Sequence, residues 1–165
     1  MSAAGTFVSV GNATQSFSRL LDGVTAIARE LPQPVFVQSG STPFPADGGD
    51  GAPFLAMSEF ENRVARSTLL IMHAGAGSMI TAVRAGKVPV VMPRRACHGE
   101  HVDDHQVEFA RELLQAGRVV IAEEPADLLA AVHEALTLQA NTQRAGQPPA
   151  MVGMIADVLR GYANR

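Results

Sequence analysis

Short apolar runs rich in β-branched residues alternate along the chain with segments whose apolar positions recur at helical spacing. The runs are TFVSV (6–10), PVFVQ (34–38), TLLIMH (68–73), VPVVMP (88–93) and RVVIAE (118–123), with a further short one near Pro53 to Ala56. Each is long enough to cross a sheet once. Helical periodicity fills the intervals at about 16–30, 58–67, 77–85, 102–116 and 125–139. This alternation predicts an α/β domain, a parallel sheet with helices on both faces. Its punctuation agrees. Ser58 and Glu61 have the spacing of a capping box, Gly86 and Gly117 stand where helix-ending glycines belong, and Pro125 suits a first helical position.

Two segments break the rhythm. The stretch GSTPFPADGGDGAP, Gly40 to Pro53, is dense in Gly, Pro and Asp and is expected to form an exposed, mobile loop. After Ala140, QANTQRAGQPPA reads as a linker. MVGMIADVLRGYA then sets Met151, Met154, Ile155, Val158, Leu159 and Tyr162 at helical spacing, as an amphipathic helix that docks on its own domain or on another chain. The expected organisation is a single domain over residues 1–140, followed by a linker and terminal helix over 141–165.

Composition narrows the setting. A chain of 165 residues fits one domain that buries roughly 70% of its unfolded surface. One cysteine, Cys97, excludes an internal disulfide and a Cys-based zinc cluster, and suits a reducing, intracellular compartment. No signal peptide is evident, and no apolar run approaches the roughly 20 residues that span a bilayer. A net charge of −3 and the absence of tryptophan argue against nucleic-acid binding.

The chemistry concentrates at two strand ends. TLLIMH runs into AGAGS, so His73 closes a strand and Gly75, Gly77 and Ser78 form the turn and first helical positions. Ligands of open parallel sheets bind beyond the carboxyl ends of the strands, where a glycine turn admits an anion to the N–H groups of the next helix. The residues suit a phosphate cradle, with His73 as a hydrogen-bond donor and the glycines removing obstructive side chains. They also suit an ordinary tight turn beside a satisfied histidine. A P-loop is absent, the dinucleotide fingerprint counted from Gly75 lands on Ile80, and VFVQSG ends the second strand without an acidic residue for a ribose. NAD and ATP are therefore disfavoured.

MPRRACHGEHVDDHQ, Met92 to Gln106, follows the next strand at the same edge and gathers Arg94, Arg95, His98, Glu100, His101, Asp103, Asp104, His105 and Gln106. Three readings compete: a metal site, a solvated charged loop, and a site for a polyhydroxylated ligand. The helix dipole opposes a cation near His101 and His105. Carboxylate, amide and imidazole groups supply the donors and acceptors that sugar hydroxyls require.

HAGAGSMITAVRAGKVPVVMPRR followed by GEHVDDHQ resembles the donor-binding half of the MurG-like glycosyltransferases, family 28, and most of all their short split members. The likeness runs from FVSVGN through FARELLQAG to VVIAEE. It implies a Rossmann-like domain equivalent to the C-terminal half of a GT-B enzyme, holding a UDP-sugar. It further implies that Gly11, Asn12 and Thr14 approach the diphosphate, that Phe54 and Leu55 line the uracil, and that His73 with Gly75, Ala76, Gly77 and Ser78 meets diphosphate and ribose. His105 and Gln106, with Asp104 beside them, stand where the family reads the donor sugar. Glu100 and Arg94 belong to the same cluster, and Arg94 or Arg95 is read either as favouring an acidic sugar or as serving a phosphate or the surface. One departure concerns the ribose: many relatives carry a glutamate where this chain has Thr81.

The resemblance also implies a partner. The family's N-terminal domain binds the lipid-linked acceptor and usually supplies the general base, so a separate membrane-associated subunit is expected to recruit this chain to the cytoplasmic face of a membrane. The implied reaction is inverting transfer from a UDP-sugar to a lipid-diphosphate-linked saccharide in polysaccharide or glycolipid synthesis. His73 stabilises the leaving group, and no obligatory metal or other cofactor is required. A non-catalytic nucleotide-sugar-binding or regulatory module is the alternative. A small hydrolase using Ser78 or Cys97 lacks the G-x-S-x-G elbow or an assigned base.

Overall fold

A computed structural model describes residues 5–44 and 49–145. Six strands, β1 (Thr6–Ser9), β2 (Val35–Gln38), β3 (Asp50–Ala52), β4 (Leu69–His73), β5 (Val90–Met92) and β6 (Val120–Ile121), form one sheet in the order β3-β2-β1-β4-β5-β6. Every pairing is parallel. The α-helices among the described residues are α1 (Ser18–Ile27), α2 (Met57–Arg66), α3 (Ala76–Arg84), α4 (His105–Gln115) and α5 (Leu128–Ala145).

The alternation of strand side chains divides the core into two layers. Val8, Val10, Leu69, Ile71, Val90 and Met92 pack with Leu20, Leu21 and Val24 of α1 and Leu128, Ala131, Val132 and Ala135 of α5. Phe7, Leu70, Met72 and Val91 pack with Val64 of α2, Met79, Ala82 and Val83 of α3, and Phe109, Ala110 and Leu113 of α4. All five residues of β4 are buried, which is why this strand reads as an unbroken apolar run. Both faces of the sheet are covered, and the strand ends are the surface left for a ligand.

The structure corrects several sequence-based boundaries. The sixth strand is Asp50–Ala52, within the expected loop and ahead of Pro53 to Ala56. It pairs Phe36 with Asp50 and Gln38 with Ala52. Pro53 has no N–H for a ladder, and its carbonyl instead accepts from Gly40 N. Ser58 is not a cap, because α2 begins at Met57 with Ala56 before it and no side-chain capping bond. A capping box does form between Glu124 and Asp127, around Pro125 in the 3₁₀ turn that leads into α5. Gly86 and Gly117 follow α3 and α4 with φ of 72° and 71°, the left-handed conformation that ends a helix. Residues 141–145, read as the start of a linker, continue α5. The tail positions Met151, Met154, Ile155, Val158, Leu159 and Tyr162 lie outside the described residues. Among the described residues no helix is long and apolar enough to cross a membrane.

Candidate functional site

A cleft of about 250 Å³ opens at the carboxyl ends of β1, β2 and β4. From the expected set it is lined by Gly11, Asn12, Leu55, His73, Gly75, Gly77, Ser78 and Thr81. Gln38, Met57 and Phe60 complete the wall. The first turn of α3 borders the cleft, and Gly75 at its N-cap provides no side-chain cap, so the helix leaves unpaired N–H groups at this edge.

His73, the last residue of β4, lies at the back of this cleft and is only 8% exposed. Its Nε2 is 3.3 Å from Ser78 Oγ, and its Nδ1 is 3.3 Å from Gln106 Nε2. Burial, followed by the positive charge of Arg94 and the proximity of His101, pushes its pKa down to about 3. The imidazole is therefore neutral at physiological pH.

The glycines around His73 serve the imidazole before they serve any ligand. A β-carbon on Gly11, whose φ is +79°, would lie 2.3 Å from His73 Nε2, and one on Gly75 would lie 2.2 Å from its Cε1. To the sequence expectation that these glycines clear a path for phosphate the structure adds a second role: Gly11 and Gly75 form a slot for the ring. Gly77 is the one whose missing side chain would project into open space.

Gln38, at the end of β2, also lines the cleft and belongs to no motif in the sequence. Ser9 Oγ donates to Gln38 Oε1 at 2.7 Å, and Gln38 Nε2 donates to Asn12 Oδ1 at 3.3 Å. Asn12 therefore turns its own amide nitrogen away from this chain of bonds. The signal was the β1–β2 register, which sets Ser9 opposite Gln38, and register is invisible without the pairing. Thr81 borders the cleft, with its hydroxyl donating to Gly77 O at 3.1 Å.

The second constellation divides differently from expectation. Arg94 is fully buried, at 0% exposure. Its guanidinium donates to Val10 O (2.6 Å), Gln15 O (2.8 Å) and Glu100 O (2.9 Å), and lies 4.8 Å from the centre of the Phe17 ring. Glu100, also buried, pairs with Arg19 at 2.9 Å and accepts from Arg95 N. Arg95 pairs with Glu123. Arg94 thus ties the loop after β1 to the loop after β5, and Glu100 ties the latter to α1, which corrects their assignment as ligand contacts and takes Arg94 away from reading an acidic sugar.

Gln106 is also held by bonds within the protein. It is 8% exposed, and its Oε1 accepts from both Ala74 N (3.2 Å) and Arg94 N (3.1 Å), so its amide is occupied within the protein. Asp104 is exposed and accepts from Ala96 N at 2.9 Å. His105 is exposed beside Asp103, at 3.1 Å. Thr14 and Phe54 are exposed without lining the cleft, and Ala76 opens α3 without lining it. Among the described residues no group of three or more His, Cys, Asp or Glu side chains is gathered as a metal site requires.

Comparison with known proteins matches residues 6–151 to the glycosyltransferase family 28 C-terminal domain. The UDP-N-acetylglucosamine transferase subunit ALG13 of Yarrowia lipolytica is 34% identical over 64 residues, 39% of this chain and 31% of that protein. The corresponding subunit of Cryptococcus neoformans var. neoformans serotype D is 40% identical over 67 residues, 39% of this chain and 32% of that protein. The chain thus spans about a third of the length of these relatives. Among solved structures, Acinetobacter baumannii MurG superposes with a TM-score of 0.57 at 18% identity, covering 96% of this chain and 50% of MurG. The calicheamicin glycosyltransferase CalG4 gives 0.60 at 17% identity, covering 96% of this chain and 41% of CalG4. At these identities the structural matches speak for the fold.

Proposed function

The chain belongs to glycosyltransferase family 28 through its C-terminal domain, and on that premise we propose that it is the donor-binding, catalytic subunit of a two-subunit, UDP-sugar-dependent inverting glycosyltransferase. The observation that carries this reading is the meeting of a neutral His73, Ser78 and the uncapped first turn of α3 at one end of a single cleft. An acceptor hydroxyl attacks the anomeric carbon of the donor as its bond to the diphosphate breaks. The departing diphosphate accumulates negative charge, and the helix N–H groups, the Ser78 hydroxyl and His73 are where that charge is met. Removing one such donor typically lowers turnover by roughly 10²–10³-fold.

The lining of the cleft is compatible with a second subunit. His73 is the one titratable side chain among its described lining residues, and with a pKa of about 3 it is a poor base for an acceptor hydroxyl. No carboxylate lines the cleft among those residues. We assign the general base and the lipid-diphosphate-linked acceptor to a membrane-associated partner that holds this chain at the cytoplasmic face. The reaction is read without an obligatory metal, since helix end and side-chain donors occupy the corresponding role.

Calorimetric titration of the chain with UDP tests the cleft, and His73→Ala is expected to weaken binding at least tenfold. Co-expression with a candidate partner, followed by transfer from UDP-sugars to a polyprenyl-diphosphate-linked acceptor, tests the enzyme. Turnover by the isolated chain equal to that of the pair would overturn the split arrangement. Binding without transfer in any pairing would favour a nucleotide-sugar-binding module.

A further inference from the structure

We propose that Gln106 is a positioning residue that locks His73 in the tautomer protonated on Nε2, so that the imidazole always presents a hydrogen-bond donor to the cleft. Two backbone N–H groups, from the ends of two neighbouring strands, converge on one atom of the Gln106 amide: Ala74 N at 3.2 Å and Arg94 N at 3.1 Å. Two donors meet only an acceptor, so that atom is Oε1 and the amide cannot be reversed. Its NH₂ group is thereby turned to His73 Nδ1, 3.3 Å away. An N–H donor facing Nδ1 requires the nitrogen to carry a lone pair. The single proton of the neutral ring then sits on Nε2, the nitrogen 3.3 Å from Ser78 Oγ and between the bare backbones of Gly11 and Gly75.

The opposite tautomer would aim a lone pair at the same place. Toward an anionic group such as a diphosphate, that exchange replaces an attraction with a repulsion, so a neutral histidine without Gln106 would serve only a fraction of the time. The charged groups reaching His73 from its surroundings are Arg94, on the segment after β5, and His101, on the loop before α4. Both discourage a second proton, and which nitrogen keeps the first is set by the hydrogen bonds the ring makes. Gln106, in the first turn of α4, makes that choice.

The inference rests on the proposed function only for its ligand. Its first arm needs none: ¹⁵N-histidine NMR of the full chain is expected to show His73 with a bare Nδ1 and a protonated Nε2 at pH 5–8. Protonation on Nδ1 in the wild-type protein overturns the proposal.

The second arm uses Gln106→Glu, nearly isosteric, with one carboxylate oxygen still able to accept from Ala74 N and Arg94 N. The other oxygen now faces Nδ1 as an acceptor. It raises the His73 pKa and, above that pKa, draws the remaining proton to Nδ1 and leaves a lone pair on Nε2. The ratio of variant to wild-type UDP dissociation constants is therefore expected to rise at least tenfold as pH passes upward through the new His73 titration. Taking the ratio cancels the ionisation of UDP itself. Gln106→Met, which deletes every bond, is expected to lower the melting temperature and weaken UDP without a pH-dependent ratio. A flat ratio for Gln106→Glu overturns the proposal. If wild-type protein fails to bind UDP at any pH, the proposed function fails, and the NMR arm alone decides the role of Gln106.

Discussion

The imidazole of His73 fits its place because Gly75 has no side chain: a β-carbon there would stand 2.2 Å from His73 Cε1. Gly75 has an ordinary extended φ of −78°, so alanine would meet no backbone strain, and the conflict is steric alone. Gly75→Ala is expected to destabilise the fold by about 1–3 kcal/mol, the usual range for overpacking a closed site. In a His73→Ala background the same change should cost almost nothing. A double-mutant cycle by denaturant unfolding measures the coupling, and additive effects would show that the ring and the glycine do not share this space.

His73 also couples stability to acidity. Its pKa is about 6.5 in the unfolded chain and is lowered to about 3 in the fold, so between those values the unfolded state binds the extra proton. The stabilisation associated with the neutral ring is full above pH 6.5 and declines as pH falls toward 3. The slope for one such group approaches about 1.4 kcal/mol per pH unit. Unfolding curves of wild type and His73→Asn, measured from pH 7 to pH 4, should therefore draw together as pH falls. A constant difference across that range would contradict the buried, neutral state of the ring.

Arg94 is expected to matter for folding and not for donor choice. It holds three backbone carbonyls from two loops, and its removal leaves Val10 O, Gln15 O and Glu100 O without this donor. Arg94→Met should destabilise by about 3–5 kcal/mol, in the range for breaking a buried charged network. Arg95→Ala, which frees Glu123 on a partly exposed surface, should cost about 1 kcal/mol or less. If the proposed activity holds, Arg95→Ala should also leave the preference between neutral and acidic UDP-sugars unchanged, measured as a ratio of kcat/KM values.

Much of the fold was legible because its signals are local. β4 is buried on both faces, so Leu69 to His73 carries its identity in a continuous apolar run, and Gly86, Gly117 and Pro125 mark helix ends by their own backbone preferences. β3 was misplaced because Asp50 and Gly51 are poor strand residues, and pairing with β2 overrides that preference. His73 and its glycines were found by position, since a strand end in a parallel sheet is where ligands bind. Their division of labour was not, because it depends on where the ring points. Arg94 illustrates the same limit: a charged residue after a strand reads as a ligand contact until the carbonyls of Val10 and Gln15, some 80 positions away in sequence, are brought against it. The bonds of Gln38 and Gln106 were hidden for that reason, each residue meeting a partner about 30 residues distant.

Gln38 supplies the last expectation. At 3% exposure it links Ser9 to Asn12, accepting from the Ser9 hydroxyl and donating to Asn12 Oδ1. With its oxygen engaged, Asn12 has its NH₂ group left to offer at the cleft, so Gln38 controls the polarity of a neighbour as well as its place. Gln38→Glu keeps the size but takes away the N–H that Asn12 accepts, which lets the Asn12 amide turn its oxygen toward the cleft. For an anionic diphosphate that reversal is unfavourable, and UDP affinity should fall roughly tenfold, the equivalent of about 1.4 kcal/mol. Because part of the effect passes through Asn12, Gln38→Glu should weaken UDP less in an Asn12→Ala background, where there is no amide to reverse and only the added charge at the cleft wall remains. Calorimetric titration of the four proteins reads this directly: independent losses would mean that Gln38 acts on the ligand by itself, whereas a shared loss assigns it to the orientation of Asn12.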